Sequence, residues 1–167
     1  TYFTKNSDNT ISFNIANNDQ SKTLIIDPPT RLWGTYYGGS GNEDYYVSVA
    51  TDGSDYIYLA GKTWSSDAIA TAGSHQSSCG GSWDAFLVKF NSNGVRQWGT
   101  YYGGSSDDYG NSVATDDSGY VYLAGYTQSN NAIATAGSHQ SSHGGSYEDA
   151  FLVKFNSNGV RQWGTYY

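Results

Sequence analysis

Methionine is absent from this 167-residue sequence, proline occurs twice, cysteine once, and only 8 residues are Lys or Arg. Each shortage excludes something. A single Cys79 closes no intramolecular disulfide, so the fold is not a disulfide scaffold, and the cysteine count leaves the redox compartment unread. Against those 8 cations stand 15 Asp and Glu, for a net charge of −7. Such a surface lacks the clustered cations that phosphate neutralisation needs, which argues against nucleic acid and against docking on anionic membrane. No apolar run reaches the roughly 18 residues of a membrane span, so no membrane insertion is expected. The opening Thr1-Tyr2-Phe3-Thr4-Lys5 has no apolar core of the signal-peptide kind, so any export signal is expected outside this stretch. No segment sustains a 3.6-residue apolar period, which removes amphipathic helices from consideration.

What is abundant is Gly (21) and Tyr (16). Tyr, Thr, Val and Ile suit pleated, half-buried surfaces, and Gly, Asn, Asp and Ser suit turns, so the blend reads as all-β. The chain also repeats. Trp-Gly-Thr-Tyr-Tyr-Gly-Gly-Ser at 33–40 returns unchanged at 98–105, and its first five letters return at 163–167, a spacing of 65 residues each time. A fixed period of this kind signals repeat architecture. Two slips keep the copies in register: the second loses one residue after Ser105 and gains one near Glu148. Both are expected in loops, where insertions are tolerated.

Each copy holds four strand candidates, at 46–51, 56–61, 85–90 and 95–102, matched by 111–115, 120–125, 150–155 and 160–167. Tight Asn/Asp/Gly turns join the first to the second and the third to the fourth. About twenty residues (62–84) join the second to the third. The repeated Trp motif therefore falls inside a fourth strand, and the structural unit is offset from the sequence unit. Four-stranded antiparallel units in tandem predict β-propeller blades. The first strand is made of small residues, as an innermost strand requires, and the third is apolar on both faces, as a sheet between two sheets requires. The expected domains are an N-terminal β-hairpin or end of a preceding β-domain at 1–30, an outer strand and link at 31–44, and blades at 45–103 and 109–167. The hairpin is expected to use the alternating stretch at 10–15 and the apolar run at 23–27, ended by Pro28-Pro29. Propellers typically have 4–8 blades. Further blades are expected either from a longer chain or from other copies of this one.

These residues resemble the SBBP family of β-propeller repeats. The resemblance is carried by the motif at 33–40 and 98–105, Ser-Val-Ala-Thr-Asp at 48–52 and 112–116, Tyr-Leu-Ala-Gly at 58–61 and 122–125, and Asp-Ala-Phe-Leu-Val-Lys-Phe at 84–90 and 149–155. It covers about residues 32–167. Residues 21–30 look like the family's usual lead-in from a preceding β-domain. The resemblance implies a propeller fold, tandem repetition in large exported bacterial proteins (often of surface-associated Bacteroidota), and a secreted or cell-surface location. It implies no catalytic residues.

Strand alternation places the long two–three loop and the four–one link at one end of each sheet, where binding is expected. That end gathers Asp44, Tyr45, Trp64, His75, Cys79 and Trp83, and their counterparts Asp108, Tyr109, His139, His143 and Tyr147. Trp64, Trp83, Tyr147, Asp44 and Asp108 are the ligand-contact candidates, because aromatic faces stack on sugars and anchor interfaces. Trp64 leads, since Gln128 replaces it in the second copy. His75 with Cys79, and His139 with His143, have four-residue ligand spacing, but two ligands per copy fall short of a metal site, and the family resemblance, with a bulky residue usual at the place of His75, implies a structural plug beneath the loop. A loop Ca²⁺ through Asp44 or Asp108 is the one cofactor reading left open. Glu43-Asp44 and Asp107-Asp108 read as solvated turn acids, and no nucleophile elbow or phosphate loop is present. The expectation is a non-catalytic module, a surface scaffold or recognition unit whose partner is a protein or a surface glycan. The alternatives are a lectin-like, glycan-binding propeller and a self-assembling structural repeat.

Overall fold

The computed structural model describes residues 2–8, 11–14, 31–145 and 147–167. It divides into two units, Thr1–Leu32 and Trp33–Tyr167. In the first, β1 (Tyr2–Lys5) pairs antiparallel with β2 (Ile11–Asn14), with Phe3 opposite Phe13. The alternating stretch thus forms its strand, and its described partner is Tyr2–Lys5. The run at 23–27 and Pro28-Pro29 lie outside the described residues.

The second unit is all strand and loop, with no helix among the described residues. β3 (Glu43–Thr51), β4 (Ile57–Thr63), β5 (Asp84–Phe90) and β6 (Arg96–Tyr102) form one sheet in that order. β7 (Asp108–Thr115), β8 (Val121–Thr127), β9 (Asp149–Phe155) and β10 (Arg161–Tyr166) form the other. Every pairing is antiparallel. The first strands of the two sheets lie side by side: Val113 N–H donates to Ser48 Oγ at 3.2 Å and Thr115 Oγ1 donates to the Thr51 carbonyl at 2.8 Å. These are two β-propeller blades set face to face.

The turns follow from their residues. Asp52 accepts Ser54 N–H at 2.9 Å and Tyr56 N–H at 3.1 Å on its side chain, and Asp116 repeats this with Ser118 and Tyr120. Such side-chain caps define an Asx turn. The left-handed position falls on Asp55 (φ 62°) in one copy and Gly119 (φ 77°) in the other.

Each letter of the repeated motif has a task. Trp98 Nε1–H donates to the Ser157 carbonyl at 3.0 Å. A Cβ on Gly99 would overlap the Ile69 carbonyl oxygen and sit 2.7 Å from Tyr37 Oη. Thr100 Oγ1 accepts Gln76 N–H at 2.9 Å. Tyr101 donates to the Ser65 carbonyl at 2.8 Å, within its own blade. Tyr102 points the other way and donates to the Ile133 carbonyl at 2.6 Å, in the next blade. Its ring packs on Phe151 and Phe155 at centroid distances of 5.2 and 5.9 Å. The motif is a clamp: it belongs to one blade's outer strand and grips the following blade.

Two expectations are corrected. Residues 31–39 form no strand, although the letters at 33–37 are those of β6 and β10. A strand needs a ladder partner, and among the described residues no strand pairs with them. They nonetheless dock as the clamp does: Trp33 donates to the Ser92 carbonyl at 2.9 Å, and Tyr37 donates to the Ile69 carbonyl at 2.8 Å and packs on Phe86 and Phe90. The first slip also lies elsewhere. Glu43 faces Thr63 and Asp108 faces Thr127, so the copies are still in step there, and the extra residue sits in β3 as a bulge between Asp44 and Ser48. Bulges absorb one residue in a strand without ending it. The counterpart of Asp108 is therefore Glu43, and that of Asp44 is Tyr109.

One test of this packing contrasts two glycines. A Cβ on Gly104 would overlap both oxygens of Asn131 and lie 2.6 Å from Ser129 Cβ, whereas one on Gly53 meets nothing within 4 Å. Gly104→Ala is expected to lower stability by about 2 kcal/mol through overpacking. Gly53→Ala is expected to be neutral or to raise it by about 0.5 kcal/mol. Urea titrations of the two variants check this.

Candidate functional site

The long-loop end is built on buried acids. Asp108 is 0% exposed. Its carboxylate accepts Gly104 N–H at 2.7 Å, Ser129 Oγ at 2.8 Å, and the Thr127 hydroxyl. Glu43 does the same in the first blade, accepting Thr63 Oγ1 at 2.9 Å, Gly39 N–H at 3.2 Å, and the Ser65 hydroxyl. Asp84, also buried, accepts Gly80 and Gly81 N–H at 2.9 and 3.0 Å and Gln76 Nε2 at 2.6 Å. These acids tie the Gly-rich links and loops to the strand ends. Burial pushes the Asp108 carboxyl up to about 6, against the pull of its three donors and with the help of the Asp84 charge. Asp84 is raised too, again by burial first.

This corrects the expectation for Asp108. It is an internal brace that holds three donors, and its full burial keeps it from a ligand at the surface. The backbone of Asp44 lies in β3, and the side chains of Asp44 and Tyr45 lie outside the described residues.

On this foundation stands a row of rings that crosses both blades. Trp64 and Trp83 lie 6.0 Å apart with their planes 33° from parallel. Lys62 Nζ sits 4.5 Å from the Trp83 ring centre and 4.7 Å from that of Tyr109. Tyr109 in turn stacks on Tyr126 at 4.5 Å and 21°. A cation between two ring faces is attracted by both quadrupoles, so Lys62 bridges the seam between the blades. Asp107 lines the row: it accepts the Tyr109 hydroxyl at 3.2 Å and Trp83 N–H at 3.3 Å. Trp64 is 58% exposed.

The second blade carries no such row. Where the first has Trp64 and Trp83, the second has Gln128 donating to Glu148 at 3.2 Å. Tyr147 is 85% exposed. Of the five ligand-contact candidates, then, the structure brings Trp64 and Trp83 together, leaves Tyr147 exposed, and buries Asp108. Lys62 and Tyr126 were missed. Their signal was in the sequence: 58–64 and 122–128 differ only at Lys62/Tyr126 and Trp64/Gln128, and the Tyr58-Leu59-Ala60-Gly61 frame is shared unchanged.

The histidines and the cysteine are packed individually. His75 lies against Tyr102 and Phe155 at 5.9 and 5.7 Å, and burial together with the Arg161 charge holds it neutral, its pKa down to about 4. The Cys79 thiol donates to the Gly81 carbonyl, and burial and the Asp84 charge push it up to about 11. His139 stacks on Tyr167, and His143 meets Tyr166 edge-on. Among the described residues no three His, Cys, Asp or Glu converge as a metal site would need.

Residues 32–67 and 97–131 match the family model of the SBBP β-propeller repeat. No curated protein matches the sequence.

Proposed function

Because the chain is built of SBBP β-propeller repeats, we propose that it is a non-catalytic, exported module that recognises a surface partner through its long-loop end. The observation that carries this reading is the ring row Trp64–Trp83–Lys62–Tyr109–Tyr126. Large rings held at fixed angles lose little freedom on binding, which is why Trp and Tyr dominate contact hot spots. Trp64 has no structural duty that Gln128 does not discharge in the other blade. A non-catalytic role is supported by the acids at this end: Asp84 and Asp108 are occupied by hydrogen bonds. Export and surface location rest on the family resemblance.

A second reading, glycan binding, is favoured by the Trp pair. Two indoles 6.0 Å apart form a shallow platform for a sugar ring, with Asp107 beside it to accept hydroxyls. Purified chain applied to a glycan array and to a panel of bacterial surface proteins separates the readings. Binding is expected to weaken by about tenfold or more in Trp64→Ala/Trp83→Ala, with stability changed by under about 1 kcal/mol at the exposed Trp64. Binding that survives the double substitution would sink the ring row as the contact site.

A further inference from the structure

The two blades have nearly the same sequence, and each covers one face of the other; on the opposite face the second blade is open along β9, whereas the first is open at its inner strand only, because Phe86, Val88 and Phe90 are buried in a cluster with Ile69 and Tyr37. In the first blade, Tyr58, Ala60, Ala85 and Leu87 are all 0% exposed, in a core shared with Val113, Val121 and Leu123 of the second. Their copies in the second blade lie on its outward face. There Leu152, the copy of Leu87, is 37% exposed, and Ala150 is exposed. The first blade shows the converse: Val49 is 64% exposed on its outward face, and its copy Val113, covered by the first blade, is 6% exposed. The molecule therefore displays, at opposite ends, the two halves of the interface it already makes in its middle.

The clamp supplies a second, independent observation. Trp33 and Tyr37 occupy on the first blade the slot that Trp98 and Tyr102 occupy on the second, with matching hydrogen bonds to Ser92 and Ile69. Residues 33–37 have no strand ladder, and Tyr36 is fully exposed where its copy Tyr101 is buried. They hold the slot through Trp33 and Tyr37.

We propose that a second copy of this chain docks head to tail, its outward second-blade face covering the first blade's outward face, and that its residues 163–167 displace residues 33–37 from the clamp slot. The occupant is identified by continuity with the interface on the page. Where Val113 N–H meets Ser48 Oγ and Thr115 meets Thr51 within the chain, Val49 N–H meets Ser112 and Thr51 meets Thr115 between copies. Lys89 reaches across the internal seam to the Ser157 carbonyl at 3.1 Å. Lys154 makes the same reach to Ser92 of the next copy. Unlike a two-fold interface, this one is heterologous, with different surfaces on the two partners.

Heterology gives a decisive test by analytical ultracentrifugation of the full chain, of Leu152→Asp, of Val49→Asp, and of their mixture. Both substitutions fall on side chains that are exposed within one chain, and an unchanged melting temperature verifies the fold. The 18.1 kDa chain is expected to gain mass with concentration. Each variant alone is expected to stay monomeric, its self-association weakened about 100-fold or more by a charge at a buried contact. The mixture is expected to form a one-to-one pair and stop, because each variant retains one good face and the pair buries both. Wild-type chain that stays monomeric into the millimolar range, or a mixture that stays monomeric, overturns the proposal, and so does self-association by Val49→Asp alone. Trp33→Ala/Tyr37→Ala is expected to tighten association about tenfold by emptying the slot. Unchanged or weaker association would overturn the displacement.

Discussion

Tyr102→Ala is expected to cost about 4 kcal/mol of stability, and Tyr167→Ala under about 0.5 kcal/mol. The two residues are the same letter of the same motif. Tyr102 is 0% exposed, and Tyr167 is 82% exposed. Truncating Tyr102 empties a ring-sized space beside Phe151 and Phe155 and leaves the buried Ile133 carbonyl without its donor. Both the void and the orphaned acceptor destabilise. Truncating Tyr167 opens no void. Tyr37→Ala is expected to fall between them at about 2 kcal/mol, because it keeps the hydrogen bond and ring contacts of the clamp with a half-buried side chain. Urea denaturation at neutral pH and low protein concentration measures all three. Equal costs for Tyr102 and Tyr167 would refute the clamp as the device that joins the blades.

Stability is also expected to depend on pH through Asp108. Its carboxyl titrates near 6 in the fold against a reference of 3.8. Below about pH 4 it is protonated folded and unfolded alike, and no charge is buried. As pH rises from about 4 to 6 the unfolded chain releases its proton first, so stability falls, by roughly 3 kcal/mol in all. Asp52, Asp67 and Asp116 titrate below their reference value and push the opposite way in more acidic solution. The contribution of Asp108 is therefore isolated by difference. In Asp108→Asn the wild-type decline between pH 4 and 6 is expected to flatten, and at pH 7 the variant is expected to be no less stable than the parent. A variant that keeps the full decline would show that another group carries it.

The architecture was legible in the sequence because β-structure of this kind is written locally. Every strand from β3 to β10 falls within three residues of its expected place, since alternation and Asn/Asp/Gly turns operate over a few residues. The offset between sequence unit and structural unit was legible too. Illegible features were the ones decided between segments. Matching letters paired Asp44-Tyr45 with Asp108-Tyr109, but the ladder with β4 pairs Glu43 with Asp108 and puts the odd residue in a bulge. Asp108 looked like a surface acid because a Gly/Ser/Asp stretch usually is one. Only the fold brings Thr127, Ser129 and Gly104 around it. Trp64, Trp83 and Tyr109 were legible as neighbours at one end, but Lys62 and Tyr126 were not for the same reason: Trp83, Lys62 and Tyr109 come from three strand ends, and the strand ends meet only when both blades are in place.

The clamp has a consequence for how such a protein changes over generations. Each 65-residue unit counted from its Trp carries the tether to its own blade, because the letters that grip a blade immediately precede it in the chain. Unequal crossing-over between tandem copies of the coding sequence thus inserts or removes a blade together with its fastening. No compensating substitution is required elsewhere, since the fastening travels with the blade. The identity of 84–102 and 149–167 fits a duplication that subsequent substitution has not touched, while positions 62, 64 and 83 of the ring row have already diverged from 126, 128 and 148. Selection and drift act there on the rim of an interchangeable cassette, and a new specificity can arise in one copy while the other preserves the fold.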